Sequence, residues 1–246
     1  MADPLDFSDR RVLVVGGSSG IGNGISHGFR GRGAEVHVTG TRPDEGDYLE
    51  AEDSDCSGVA YHQLDVTNRD AAEALAGKIG AVDVVVLCQG AVRYGRAEFE
   101  REGWDAVIDV NLNSLMDCAR AFRSGLAERG GSLIIVSSTG AFHAMIGNPA
   151  YAASKAGAVA LVRSLALAWA GEGIRVNGIA PGYVPTKMTG VTVNNEKRRE
   201  GVIARIPLGR MGTPQDMAGA AIFLASSLGD YVTGQTLIID GGLTLN

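Results

Sequence analysis

The chain has 246 residues, 45% of them apolar, and a formal net charge of −6 at neutral pH. That length and apolar share suffice for one large core or two small ones, and the acidic balance excludes the basic footprint of a nucleic-acid binder. Cys56, Cys88 and Cys118 are odd in number and show no paired spacing, which argues against a disulfide scaffold or a zinc site and for reduced thiols in a cytoplasmic setting. The segment Met1–Arg11 lacks the apolar stretch of a signal peptide, and the longest apolar runs, Val84–Cys88 and Leu133–Val136, fall far short of a membrane span.

In chain order, an apolar strand is predicted at Val12–Val15, then a glycine-rich turn and a helix near 20–32. Strands follow at Glu35–Thr39 and Val59–Leu64, and Thr67-Asn68-Arg69-Asp70 opens a helix near 68–79. A strand at Val82–Cys88 leads to a helical stretch over 99–128, a strand at Ser132–Val136 and a helix over 150–171. After a strand at Arg175–Ile179 comes a polar segment near 190–205. Thr213-Pro214-Gln215-Asp216 then opens a helix over 214–227, with proline at its first position, before a last strand at Thr236–Ile239. Continuous Val/Ile/Leu strands alternating with helices imply an α/β fold: a Rossmann-like, doubly wound parallel sheet of about seven strands with helices on both faces. No linker or repeat divides residues 1–246, so a single domain is expected. Two charged stretches read as solvated surface: Asp44–Asp55, with seven acids in twelve residues, and Lys197-Arg198-Arg199. The second would alternatively rim a site for an anionic carrier or coenzyme tail.

Gly16-Gly17-Ser18-Ser19-Gly20-Ile21-Gly22 runs from a strand through a turn into a helix. Glycines there allow a tight turn and close approach of backbone to a pyrophosphate, and the helix N-terminus points at that anion. At the end of the second strand stands Thr39-Gly40-Thr41-Arg42, with no acid to take a ribose 2′-hydroxyl. Arg42 is instead suited to pair with a 2′-phosphate, which predicts NADP(H), with NAD(H) as the alternative.

Tyr151 and Lys155 are four residues apart on a predicted helix and therefore share a face. A hydride is added to a carbonyl carbon only if the oxygen receives a proton. A tyrosine hydroxyl gives one once its pKa, about 10 unperturbed, is brought down. A neighbouring ammonium favours tyrosinate and is expected to do so.

These motifs, in this order, resemble the short-chain dehydrogenase/reductase family in its single-domain form, over nearly the whole chain. Gly16, Gly20 and Gly22 match its glycine motif, and Asp65-Val66 its adenine-contacting pair. Asn111, Ser138, Tyr151 and Lys155 match its catalytic residues. Gly90, Pro181-Gly182, Val184 and Thr186 match segments beside the nicotinamide, and Asp240-Gly241-Gly242 matches its tail. The resemblance implies Tyr151 as proton donor and acceptor, Ser138 as hydrogen-bond donor to the substrate oxygen, and Lys155 as holder of the nicotinamide ribose. It implies Asn111 as support for a water that links Lys155 to solvent, and it implies a homotetramer. Two departures stand out. Val15 replaces the usual threonine, removing a local hydrogen bond, and Leu87-Cys88-Gln89-Gly90 replaces Asn-Asn-Ala-Gly, altering the local bracing. Gln89 would alternatively present a polar group near the cofactor ribose.

The expected substrate is a small or medium ketone or secondary alcohol, in a pocket lined by Thr139–Asn148, Tyr183-Val184 and the segment after Thr186, with His143, Asn148 and Tyr183 as contacts and Met145 beside them. A lid is expected at about 187–209. The rival readings are a 3-oxoacyl-carrier-protein reductase, with Arg129 and Lys197–Arg199 docking an acidic carrier, and a polyol or sugar dehydrogenase. A cofactor-binding sensor that has lost catalysis is disfavoured by the intact Ser138, Tyr151 and Lys155.

Overall fold

The computed structural model describes residues 3–48 and 54–245. Seven parallel strands form one sheet: β1 Arg11–Val15, β2 Glu35–Gly40, β3 Ala60–Gln63, β4 Val84–Leu87, β5 Ser132–Val136, β6 Arg175–Pro181 and β7 Thr236–Ile239. Their order is β3-β2-β1-β4-β5-β6-β7. The strand order therefore reverses between β1 and β4, the place where open α/β sheets leave a crevice at their carboxyl ends. The helices are α1 Gly20–Arg30, α2 Arg69–Ile79, α3 Arg101–Ile108, α4 Ser114–Arg129, α5 Pro149–Trp169, α6 Gly190–Val193, α7 Glu196–Ile203 and α8 Pro214–Ala225.

The unbroken apolar strands are explained by cover on both faces. Leu13, Val15, Val85 and Leu87 pack with Leu115, Phe122 and Val162 of α4 and α5. Their neighbours Val12, Val14, Val84 and Val86 point the other way, onto Ile25, Phe29 and Ile222 of α1 and α8. Each such side chain contributes about 1.5–3 kcal/mol when fully buried. Helices α1 and α8 approach so closely that a Cβ on Gly24 would lie 2.2 Å from Cβ of Pro214. The start signals work as expected. Asn68 accepts from Ala71 N at 3.2 Å, and Thr213 and Asp216 form a reciprocal cap on α8.

Two segments depart from the expectation. The predicted helix over 99–128 is broken into α3 and α4 by a wider π turn at Asp109–Asn113. The polar segment near 190–205, given no helix from its sequence, holds α6 and α7. Asn195 caps α7 by accepting from Arg198 N at 3.0 Å. A third small core of Val202, Ile206, Met211 and Leu243 lies beneath this segment. Within the acidic stretch Asp44–Asp55, residues 49–53 lie outside the described residues.

Candidate active site

The carboxyl ends of β1, β2, β4, β5 and β6 open onto one cleft of about 680 Å³. On one side runs the glycine turn. Gly16 and Gly20 have φ of 75° and 54°, the left-handed region that glycine alone adopts at little cost. A Cβ on Gly22 would lie 2.2 Å from the Gly16 carbonyl oxygen, so the turn closes only with glycine there. Ser19 caps α1 without a side-chain bond, and the first turn holds no acid. The first N–H groups of α1 therefore remain open beside the helix's positive end. Ser18, Ser19, Gly20, Ile21 and Gly22 all line the cleft, a cradle that fits a pyrophosphate. The bond expected to be lost with Val15 has a substitute, since Gly16 N donates to Thr39 Oγ1 at 3.0 Å.

At the end of β2, Thr41 and Arg42 line the same cleft, together with Tyr48. The Tyr48 hydroxyl accepts from Arg42 N at 3.3 Å, and the guanidinium carbon of Arg42 sits 4.7 Å from the Tyr48 ring centre. Arg42 also donates to the Asp47 carbonyl. Hydrogen bonds from Ser18, Arg42, Tyr61 and Thr41 hold the Tyr48 pKa below its ordinary value even though burial opposes them. Asp65 and Val66 form the next part of the wall. Asp65 accepts from Thr67 N and Oγ1 at 2.9 and 2.7 Å, which lowers its pKa.

The chemical end gathers at β5 and α5. The two adjacent serines separate cleanly. Ser137 donates to the Lys155 carbonyl at 2.8 Å and is a buried brace, whereas Ser138 and Tyr151 both line the cleft. Ser138 Oγ accepts from Gly140 N at 3.1 Å. Lys155 is 4% exposed, and its Nζ donates to Val136 O at 3.0 Å. It lies 5.7 Å from the Tyr151 ring centre.

The expectation that the Lys155 charge brings the Tyr151 pKa down needs correction. Burial pushes the Tyr151 hydroxyl up, against the neighbouring Ser138 hydroxyl, which lowers it. Burial also pushes Lys155 down to about 8, with the nearby Cys88 opposing. In so dry a site desolvation outweighs the pairwise attraction.

Asn111 occupies the π turn and is fully buried. Its side chain accepts from Ala91 N at 2.7 Å and donates to Ala91 O at 2.9 Å and Ser154 Oγ at 3.2 Å. It locks the loop after β4 onto α5. Gln89 lines the cleft and braces α4 through its amide, which donates to Ser114 Oγ at 3.0 Å. Gly90, Pro181, Gly182, Val184 and Thr186 all line the cleft. The tail is a brace as well, since Asp240 accepts from Gly242 N and Thr244 N, each at 2.8 Å.

The substrate contacts are distributed differently. His143 is exposed, and neither it, Asn148 nor Tyr183 belongs to the cleft wall. Asn148 spends its amide on Arg93 O and Glu98, both at 3.0 Å, and Tyr183 packs on the small core of Val202, Ile206, Met211 and Leu243. The wall instead contains Tyr94, Lys187 and Met188, and Tyr94 donates to the Met188 carbonyl at 2.6 Å. Lys187 and Met188 belong to the segment after Thr186 that was expected to line the pocket. Sequence reasoning missed Tyr94 and Tyr48, and Tyr48 is hidden in the acid-rich stretch. Among the described residues, no cluster of three or more His, Cys, Asp or Glu side chains is arranged to hold a metal.

The fold and cleft define a dinucleotide-binding α/β protein of the oxidoreductase kind. Residues 15–244 match the family described as enoyl-(acyl carrier protein) reductase. The chain is 38% identical over 242 residues to a 3-oxoacyl-[acyl-carrier-protein] reductase of Chlamydia pneumoniae, covering 96% of this chain and 97% of the relative. It is 35% identical over 245 residues to a 2-dehydro-3-deoxy-D-gluconate 5-dehydrogenase of Bacillus subtilis, covering 98% and 96%. Among solved structures, a gluconate 5-dehydrogenase of Burkholderia cenocepacia in complex with NADP and tartrate superposes with a TM-score of 0.88 at 30% identity, covering 99% of this chain and 98% of that one. The chain belongs to the short-chain dehydrogenase/reductase family.

Proposed function

We propose that the protein is an NADP(H)-preferring carbonyl reductase and alcohol dehydrogenase that interconverts a ketone and a secondary alcohol, with Tyr151 as proton donor and acceptor. The observation that carries this reading is the convergence of Ser138, Tyr151 and Lys155 on one wall of the cleft whose other wall is the glycine cradle. The nicotinamide coenzyme, when bound, supplies or accepts the hydride. In reduction, Ser138 and Tyr151 donate hydrogen bonds to the carbonyl oxygen, and the Tyr151 O–H proton passes to that oxygen as the alcohol forms. The phenolate left on Tyr151 is stabilised by the Lys155 ammonium. With a pKa brought to about 8, that ammonium is suited to replenish the proton. Asn111 holds the loop and helix that flank these groups.

The cofactor contacts of this reading are Gly16, Ser18, Ser19, Gly20, Ile21, Gly22, Thr41, Arg42, Asp65, Val66, Gly90, Pro181, Gly182, Val184 and Thr186, with Tyr151 and Lys155 at the ribose and nicotinamide. Preference for NADP(H) is supported by Arg42 beside the cleft, by the absence of an acid at the end of β2, and by NADP in the related Burkholderia structure. A second reading, a dehydrogenase of sugar acids or other hydroxy acids, is favoured by Lys187 in the cleft wall and by the gluconate-type relatives.

The proposed assembly is a homotetramer. Its supports are the strongly exposed Leu167 of α5 (86%), Leu245 (85%) and Ile238 of β7 (42%), large apolar side chains that a partner would cover. We place the chain in the cytoplasm, in keeping with three free cysteines. No described helix is long and apolar enough to cross a membrane. A single catalytic domain with a lid at about 187–209 completes the picture. The test is a kcat/KM comparison of NADPH and NADH across free ketones, 3-oxo thioesters on a carrier protein, and keto sugar acids. Reduction of free ketones with NADPH preferred is expected. Preference for NADH overturns the cofactor assignment, and turnover of carrier-bound thioesters alone overturns the substrate assignment.

A further inference from the structure

Three charged side chains among the described residues are less than a tenth exposed: Asp83, Lys155 and Glu98. Asp83 is paired with Arg10 at 2.9 Å, and Lys155 belongs to the site. Glu98 is fully buried, and no ion pair reaches it among the described residues. An uncompensated buried carboxylate is destabilising by several kcal/mol, so its surroundings must offset that. Oε1 accepts from Arg93 N and from Asn148 Nδ2, both at 3.0 Å. Oε2 accepts from Tyr151 N at 2.9 Å.

Those three donors come from two separate pieces of chain. Arg93 lies in the loop after β4, while Asn148 and Tyr151 begin α5, whose positive end faces the carboxylate. Asn148 occupies the cap position but makes no side-chain cap bond, and its Nδ2 donates to Glu98 and to Arg93 O. The first turn of α5 is therefore capped by a residue 53 positions upstream. Tyr151 is held at its other end too. Ser154 Oγ donates to Tyr151 O at 2.7 Å and accepts from Asn111, which grips Ala91. The backbone of Tyr151 and the loop 91–93 thus form one hydrogen-bonded unit facing Ser138.

We infer that Glu98 is a positioning residue for Tyr151: its buried carboxylate clamps the first turn of α5 to the loop after β4 and so sets where the tyrosine hydroxyl stands in the cleft. This rests on the reading of Tyr151 as proton donor. A catalytic group displaced by about 1 Å loses on the order of 100-fold in rate. Glu98→Gln keeps the shape, removes the charge and turns an amide donor toward existing N–H donors. The groups around Tyr151 are Ser138, Tyr94, Glu98, Cys88 and Lys155. Of these, Tyr94, Glu98 and Cys88 raise the Tyr151 pKa through charge.

The test compares Glu98→Gln, Asn148→Ala and Tyr151→Phe with the parent chain. For Glu98→Gln, kcat is expected to fall about 30- to 100-fold. NADPH affinity, read by quenching of protein fluorescence, stays within about twofold, since the clamp does not touch the glycine cradle. The pH at which alcohol oxidation rises moves downward, a shift that loosened packing alone would not give. A folded Glu98→Gln with kcat within about threefold of the parent and an unmoved pH profile overturns the inference. Should Glu98→Gln fail to fold, Asn148→Ala removes one clamp bond and leaves the Glu98–Tyr151 bond. A kcat loss of about threefold to tenfold with unchanged NADPH affinity supports the clamp, and an unchanged kcat overturns it. Tyr151→Phe separates the two ideas. If it retains turnover, the Tyr151 reading fails. If it is inactive while Glu98→Gln turns over normally, the clamp alone fails.

Discussion

The two ends of the cleft hold their polar groups by different physics. At the end built on β5 and α5, Lys155 and Glu98 are almost wholly removed from water, and burial is the largest influence on both Lys155 and Tyr151. At the end of β2, Arg42, Asp44 and Asp47 are half-exposed or exposed, and Asp47 accepts from both Arg42 and Asp44 close by in sequence. A charge in a dry site interacts strongly and leaves a large deficit when its partner goes. A charge in a wet site is screened and replaceable. Substitutions should therefore have steep effects at the first end and graded effects at the second.

The largest effect is expected at Tyr151. Tyr151→Phe removes the proton without altering the ring, so kcat should fall about 1,000-fold, within the range for a general acid. NADPH affinity measured by fluorescence titration should stay nearly constant. Residual turnover within tenfold of the parent would erase the contrast between the two ends.

Lys155 comes next and carries a pH signature. Lys155→Met should lower kcat about 100-fold. It should also change how stability depends on pH. The folded pKa of about 8 lies below the unfolded value of 10.5. Below pH 8 both states are charged, and the buried ammonium destabilises the fold by about 3 kcal/mol. Between pH 8 and 10.5 the unfolded chain binds more protons, so stability rises with pH across that window and levels off above it. Thermal melts of the parent should show this gain, and Lys155→Met should lack it. Parallel melting curves for the two would mean that Lys155 is hydrated in solution.

The same divide governs what could be read from the sequence. Strand positions, the glycine cradle and the Ser138–Tyr151–Lys155 set depend on local patterns, namely apolar runs, positive-φ glycines and helical spacing. Each appears within a residue or two of its expected place. The break of the helical stretch at Asp109–Asn113 did not show, because it depends on Asn111 meeting Ala91 across 20 positions of sequence. Glu98 was invisible for the same reason. One glutamate in Glu98-Phe99-Glu100-Arg101-Glu102 looks like any other until its distant donors are known. Tyr151's pKa was misjudged because spacing reports which charges are near and says nothing about the water removed.

At the wet end, Arg42→Ala should weaken NADPH about tenfold and leave NADH within about twofold, as expected for loss of one charge-assisted contact in a screened setting. Equal losses for both coenzymes would show that Arg42 supports the adenosine generally rather than a 2′-phosphate.

The smallest effect tests how replaceable a single hydroxyl is at this end. Tyr48 puts its hydroxyl among Ser18, Thr41, Tyr61 and Arg42 N, while its ring lies under the Arg42 guanidinium. Tyr48→Phe removes only the hydroxyl, and water can reach the groups it leaves behind. One hydrogen bond in such a place is worth about 0.5–1.5 kcal/mol, so NADPH affinity should weaken about threefold. Tyr48→Ala also removes the surface on which Arg42 rests and should approach the Arg42→Ala loss, because a cation over an exposed ring contributes about 0.5–1 kcal/mol and fixes the guanidinium. The order Phe, then Ala, then Arg42→Ala is the signature of a screened, additive site. A 100-fold loss in Tyr48→Phe would instead mean that the hydroxyl is sealed from water when coenzyme binds, making this end as dry as the one that holds Tyr151.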